Sequence, residues 1–167
     1  LTPFSRYLQT ELSNVKYEPC WALMVALENS SNAHLSTSIV KDSVLSWVAR
    51  NSSKPRRDNK LETWVAHATP DWSSRHLDID DSAAAKQLLP YLLNQIGAEN
   101  RRLTYVSAHR WRYARVTTAL GKPFLADETG TVFIIGDGCL GPRVECAFES
   151  GNKLADHILE EVERFSI

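Results

Sequence analysis

The residues with the clearest chemical use lie near the C-terminal end. Val132-Phe-Ile-Ile135 is an apolar run, Gly136-Asp137-Gly138 follows it, and Gly141-Pro142 precedes a long amphipathic segment. This order predicts a buried strand, a tight turn and a helix from about residue 144 to residue 164. The glycines permit the turn. Asp137 would sit just past the strand, where a carboxylate suits hydrogen bonds to sugar or ribityl hydroxyls. Pro142 is placed to open the helix, because its missing N–H would be unpaired there anyway. The free N–H groups of Arg143, Val144 and Glu145 would then lie at the positive end of the helix dipole. That pole favours a phosphate, or negative charge developing on a ring. The same spacing also suits an ordinary surface turn followed by a capped helix.

A second pattern is His109-Arg-Trp-Arg-Tyr-Ala-Arg115. On a strand, His109, Trp111, Tyr113 and Arg115 share one face, and Arg110 and Arg112 the other. Trp111 and Tyr113 beside cationic groups can stack on a flat ring. A half-buried strand with a charged outer face has the same pattern. His67 and His76 could serve as acid or base near neutral pH, or as structural groups. No nucleophile elbow accompanies them, so a hydrolase triad has little support. Asp78, Asp80 and Asp81 lack the spacing of a Ca²⁺ loop and suit a helix cap better. No catalytic residue can be assigned from these patterns.

The elements that must position these residues follow from periodicity. Residues 1–9 form a frayed end or a short helix. Glu18–Leu27 reads as a central strand, and Val44–Ala49 and Leu61–His67 as further strands. Asn29–Asn32 is a polar turn cluster, and Asn51–Asn59 a basic loop that reads as a solvated connection. Residues 69–76 turn into a short helix. Residues 80–96 are an amphipathic helix with an Asp cap, an apolar stripe of Leu88, Leu89, Leu92, Leu93 and Ile96, a kink at Pro90 and an end at Gly97. Residues 102–116 alternate as a long strand, or two short strands separated by a bend, and residues 127–130 make a hairpin-like connection. The order is that of an α+β fold with a mixed or antiparallel sheet and one closing strand–helix unit.

Composition narrows the function. A chain of 167 residues with 43% hydrophobic residues can bury a core. A net charge of −1 argues against a general nucleic-acid binder. Arg56, Arg57, Arg110, Arg112 and Arg115 are the residues such a binder would use. No stretch of about 18 apolar residues occurs, so no membrane span or membrane partner is expected. Cys20, Cys139 and Cys146 are sparse and odd in number. They read as free thiols in a reducing, cytoplasmic compartment rather than as a disulfide framework or a metal site.

Taken in order, Glu18-Pro-Cys-Trp-Ala22, Ser46-Trp-Val-Ala-Arg-Asn51, Trp64-Val-Ala-His-Ala-Thr-Pro70, His109-Arg-Trp-Arg-Tyr-Ala114 and Gly136-Asp137 with Val144-Glu145 and Ser150-Gly151 resemble the C-terminal half of the renalase-like branch of flavin-containing amine oxidases. The resemblance implies an FAD-dependent oxidoreductase. Such an enzyme oxidises dihydronicotinamide dinucleotide isomers or amines, with O2 as acceptor and H2O2 as product. It implies that residues 1–125 form a substrate-binding domain and that residues 126–167 supply the closing strand and helix of a Rossmann-like FAD domain. Gly136, Asp137, Arg143, Val144 and Glu145 would contact FAD, and Trp111, Tyr113 and His67 would line the substrate pocket. In the family, a strand and a Gly-rich phosphate turn hold the ADP half of FAD, and neither opens this sequence. The chain is therefore expected to be cut from a longer parent at Leu1, to lack FAD or hold it incompletely, and to be inactive alone. Its FAD-domain helix would need an apolar partner, within the chain or by self-association. The alternative is a non-catalytic binding or interaction module that keeps the substrate-domain sheet.

Overall fold

The computed structural model describes residues 5–28, 36–41, 43–57 and 60–165. Its elements are α1 (Arg6–Ser13), β1 (Lys16–Leu27), β2 (Thr37–Ile39), β3 (Leu45–Arg50), β4 (Glu62–Ala68), α2 (Pro70–Arg75), α3 (Asp81–Ile96), β5 (Leu103–Thr118), β6 (Leu125–Ala126), β7 (Phe133–Ile134), α4 (Asp137–Leu140) and α5 (Val144–Phe165). The fold is α+β. One antiparallel sheet has the order β2-β3-β4-β1-β5, and β6 and β7 form a separate hairpin. The turn cluster expected at Asn29–Asn32 lies outside the described residues. Contacts divide the chain into two compact units, residues 19–114 and residues 1–18 with 115–167. The domain boundary expected at residue 125 falls inside the second of these.

The unit of residues 19–114 is built on one covered sheet face. Alternation sends Trp21, Leu23, Val25 and Leu27 of β1, and Trp64, Ala66 and Ala68 of β4, into one core with Ala84, Ala85, Leu88 and Leu92 of α3. The large aromatics keep their polar atoms satisfied. Trp21 Nε1 donates to the His76 carbonyl at 3.0 Å, and Trp64 Nε1 donates to the buried Glu62 carboxylate at 2.5 Å. Buried Ser73 accepts from the Trp21 amide at 3.1 Å, tying α2 to β1.

Helix α3 begins where Asp80 Oδ1 accepts from the Ala83 amide at 2.9 Å. It ends at Gly97, whose φ of 64° lets Ala98 N–H reach the Leu93 carbonyl at 2.9 Å. The helix runs through Pro90 as one element. The proline removes a donor from the Lys86 carbonyl, but Lys86 and Pro90 are both exposed, where water can replace it. The long alternating segment is a single strand, β5, rather than two.

The other unit departs more from expectation. The strand expected at Val132–Ile135 is only Phe133–Ile134, and it is half-buried rather than buried. Its ladder partner is the short β6 (Ala126↔Phe133, Leu125↔Ile134), so pairing stops after two residues. The connection between them is a tight turn, with Gly130 N–H donating to the Asp127 carbonyl at 3.1 Å. Asp127 Oδ1 accepts from the amides of Thr131 and Val132 at 2.8 and 2.9 Å. With a hydrogen bond from Thr129, these hold its carboxyl down to about 2. The opening segment forms α1, capped by Ser5, whose Oγ accepts from the Leu8 amide at 3.1 Å.

Helix α5 is amphipathic, yet Val144, Phe148, Leu159 and Val162 on one stripe are exposed. The three cysteines are free, and no described helix is long and apolar enough to cross a membrane. Leu88 is fully buried between α3 and the sheet. Leu88→Ala is therefore expected to cost about 2–5 kcal/mol of stability, because the surrounding core only partly closes over the cavity. Denaturant unfolding of the two proteins tests this, and a loss within about 0.5 kcal/mol, the range of surface changes, would contradict the packing.

Candidate functional site

The Gly136-Asp137-Gly138 turn is held from beneath by α5. Ser150 is fully buried, and its Oγ accepts from the Gly136 amide at 3.0 Å. The turn itself is a short helix rather than an open loop. Gly141 N–H closes it onto the Asp137 carbonyl at 2.8 Å, and Cys139 N–H donates to Gly136 at 3.1 Å. Leu120 and Gly121 amides donate to the Gly138 and Cys139 carbonyls at 3.0 and 2.9 Å, which anchors the far side.

Asp137 stands at the edge of a cavity of about 220 Å³ with Leu12, Val15, Tyr17, Ile135 and Cys139. One carboxylate oxygen accepts from the Gly138 amide at 2.9 Å, so it is partly committed to its own turn. Burial, reinforced by the Asp137 charge, pushes the Tyr17 phenol up. Burial also raises the Cys139 thiol, against a hydrogen bond with Ser150. Both groups are thus kept protonated. Cys139 offers an S–H, 3.6 Å from the Ile134 carbonyl, and is a poor nucleophile.

Gly136, Gly138 and Gly141 stand at the Gly-x-Gly-x-x-Gly spacing, here near the C-terminal end and not before the sheet. Their surroundings do not make them a phosphate turn. The second glycine of such a turn leaves its backbone open to a pyrophosphate. Here a Cβ on Gly138 would stand 2.5 Å from the Tyr17 hydroxyl, so Tyr17 already covers it. Gly136, with φ of 133°, is the open side: a Cβ there would meet nothing within 4 Å.

Helix α5 begins at Val144, where its start was expected, but the roles expected of Pro142 and Arg143 are corrected. Pro142 lies outside α5, which begins at Val144. The Arg143 amide is not free, because it donates to the Gly141 carbonyl at 2.9 Å. That bond spans Pro142 and closes a three-residue turn just before the helix begins. Arg143 serves as the cap, accepting from the Cys146 amide at 3.0 Å. Val144 and Glu145 supply first-turn amides, and their side chains are exposed.

In the unit of residues 19–114, the sheet face opposite the core carries the other expected residues. His67 pairs across the ladders with Ala22 and Trp47. The Trp47 ring lies 4.9 Å from the His67 ring. A bulge between Leu45 and Trp47 aims that ring, and Ser46 at the bulge donates to the His67 and Ala68 carbonyls, each at 3.2 Å. Burial lowers the His67 pKa. On β5, Arg110 lies over Trp21 of the core, 5.6 Å from its ring centre. Alternation therefore turns His109, Trp111 and Tyr113 to the His67 side. Trp111 and Tyr113 are exposed, and His109 meets Trp111 edge-on at 4.6 Å. Strands β4 and β5 are separated by β1, so these aromatics share a face with His67 at about 10 Å.

Sequence reasoning missed Tyr17, Cys139, Ser150 and Trp47 as members of these sites. Only Ser150 carried a local signal, as a small polar residue one turn from Cys146, Ala147 and Leu154. No family model matches the chain.

Removing the Ser150 hydroxyl leaves the Gly136 amide without its acceptor. Ser150→Ala is expected to cost about 1–3 kcal/mol, read by denaturant unfolding, whereas Ser150→Cys retains a weak acceptor and should lose less. His67 gives a pH signature. An unfolded imidazole gains its proton as pH falls through about 6.5, but the buried one resists. Its contribution is therefore complete above about 6.5 and lost as pH falls toward the lower folded value. His67→Gln should flatten that acid-side decline in unfolding midpoint, and an unchanged slope would rule out His67 as its source.

Proposed function

We propose that this chain forms the substrate-facing sheet and the closing strand and helix of a Rossmann-like FAD domain in a renalase-like oxidoreductase. Its substrates would be dihydronicotinamide dinucleotide isomers or amines, with O2 as acceptor and H2O2 as product. The observation that carries the reading is the ordered set of motifs from Glu18 to Gly151. The turn adds support: its open side at Gly136 adjoins the Asp137 carboxylate, and Ser150 holds it in place.

The residues present fit part of FAD, not all of it. Asp137 would accept from ribityl hydroxyls with the oxygen its turn leaves over. The amides of Val144 and Glu145 would favour negative charge at the pyrimidine end of the flavin. Bound flavin would supply the hydride acceptor and pass electrons to O2. The cavity of about 220 Å³ beside Asp137 is too small for a dinucleotide, so the adenosine half would need further protein surface. The exposed stripe of Val144, Phe148, Leu159 and Val162 is a face such surface, or self-association, would cover. His67, Trp111 and Tyr113 would line the substrate side of the sheet.

The test is to purify the protein from its complete reading frame and record flavin absorbance and peroxide release. Yellow protein that releases H2O2 with dihydronicotinamide isomers supports the reading, and turnover of amines alone moves it to the wider amine oxidase class. Asp137→Ala should weaken FAD retention about tenfold. A colourless protein that takes up no added FAD ends the proposal.

A further inference from the structure

The loop joining β3 to β4 places two arginines at a polar cavity whose described lining holds no acid. The cavity, of about 350 Å³, is lined by Asn51, Ser52, Arg56, Arg57, Leu61 and Thr63. None of these six is an acid. Ser52 Oγ accepts from the Thr63 amide at 3.3 Å, which leaves its own O–H to donate elsewhere. Glu62, the nearest described acid in sequence, is buried and bound to Trp64 Nε1 on the core side. The described lining thus comprises two arginines, two hydroxyl-bearing residues, an asparagine and Leu61.

The arginines of β5 are different. Arg110 donates to the Leu77 carbonyl and lies over Trp21, Arg112 pairs with Asp78 at 3.1 Å, and Arg115 pairs with Glu18 at 3.5 Å. Those charges are used within the fold. Arg56 and Arg57 have no acid partner among the described residues.

The backbone points the same way. Arg56 has φ of 62° and is the one non-glycine in the left-handed region among the described residues. It follows Pro55 in a turn, at the corner where glycine or asparagine is the usual choice. A bulky residue at such a corner is strained, and strain of this kind collects at ligand sites. The consequence is that adjacent arginines both reach the cavity, although side chains of neighbouring residues in a strand would diverge.

We propose that this loop binds a small phosphate ester. The phosphoryl group would take the forked donors of Arg56 and Arg57, with the Ser52 and Thr63 hydroxyls and the Asn51 amide completing the shell. The organic part would lie on Leu61, the one apolar side chain among the described lining residues. The cavity is several times larger than a lone phosphate needs, which favours an ester over the free ion. This site requires no flavin and stands whether or not the oxidoreductase reading holds.

Calorimetric titration of the protein with ADP, glucose 6-phosphate and inorganic phosphate tests it. At least one ester should bind saturably at one site and more tightly than inorganic phosphate. Arg56→Gly relieves the strained corner, so it should leave the unfolding midpoint unchanged or raised while weakening the ester about tenfold. Arg57→Gln should weaken it similarly, Leu61→Ala should weaken the ester but not inorganic phosphate, and Asp137→Ala should change neither. The proposal is overturned if neither ester saturates, or if the Arg56→Gly, Arg57→Gln double variant binds as the native protein does. Tighter binding of single-stranded RNA than of either ester would also overturn it, in favour of a polyanion surface.

Discussion

Burial of one face of a twisted sheet is the constraint on which the rest of this molecule depends. Strand β1 lies between β4 and β5, so both its edges are paired and its core-facing residues Trp21, Leu23, Val25 and Leu27 have no route to water. Helix α3 must then lie across that face, and its alanines at 84 and 85 let it approach while Leu88 and Leu92 fill the gap. The two buried indoles make the arrangement directional. Their N–H groups require acceptors, which the His76 carbonyl and Glu62 provide. Once that face is committed, Ala22, Trp47, Val65 and His67 are turned to the other side. The candidate substrate face is a by-product of core packing, with its aromatic content added by β3 and β5.

The second unit is organised by a smaller device. A buried hydroxyl on α5 accepts the first amide of the Gly136–Gly138 turn, and the turn closes on itself through the Asp137 carbonyl. Asp137 therefore adjoins protonated Tyr17 and Cys139 rather than other charges. A single carboxylate among neutral donors can accept hydrogen bonds from a polyol without the repulsion a cluster of acids would create. The same geometry gives Gly138 a structural use, since the Tyr17 hydroxyl occupies the space a side chain would take.

Charge is distributed with equal economy. The arginine-rich look of β5 dissolves into a cation–π contact, a carbonyl cap and two ion pairs. Those ion pairs are largely exposed and add little stability; their effect is to neutralise a strand that would otherwise attract polyanions. The loop between β3 and β4 is the contrast, because among the described residues Arg56 and Arg57 share their cavity with hydroxyls and an amide that cannot neutralise them.

The sequence by itself determined the elements whose causes are local. The Asp80 cap, the apolar stripe of α3 and the left-handed Gly97 are written within one helix length, because caps and stripes are contacts between near neighbours. Strand β5 was legible from alternation, and β1 and β4 from short runs rich in Trp and Val, for the same reason. The motif Gly136-Asp137 was visible, but its form was not: α4 exists because Gly141 folds back onto Asp137, and Tyr17 arrives from the opposite end of the chain. Tertiary structure alone decided that Tyr17 covers Gly138 and that Trp47 meets His67 through a bulge. Each of these depends on a partner distant in sequence. Periodicity reports which face a residue takes within its own element, whereas ladder pairing and packing decide what that face meets.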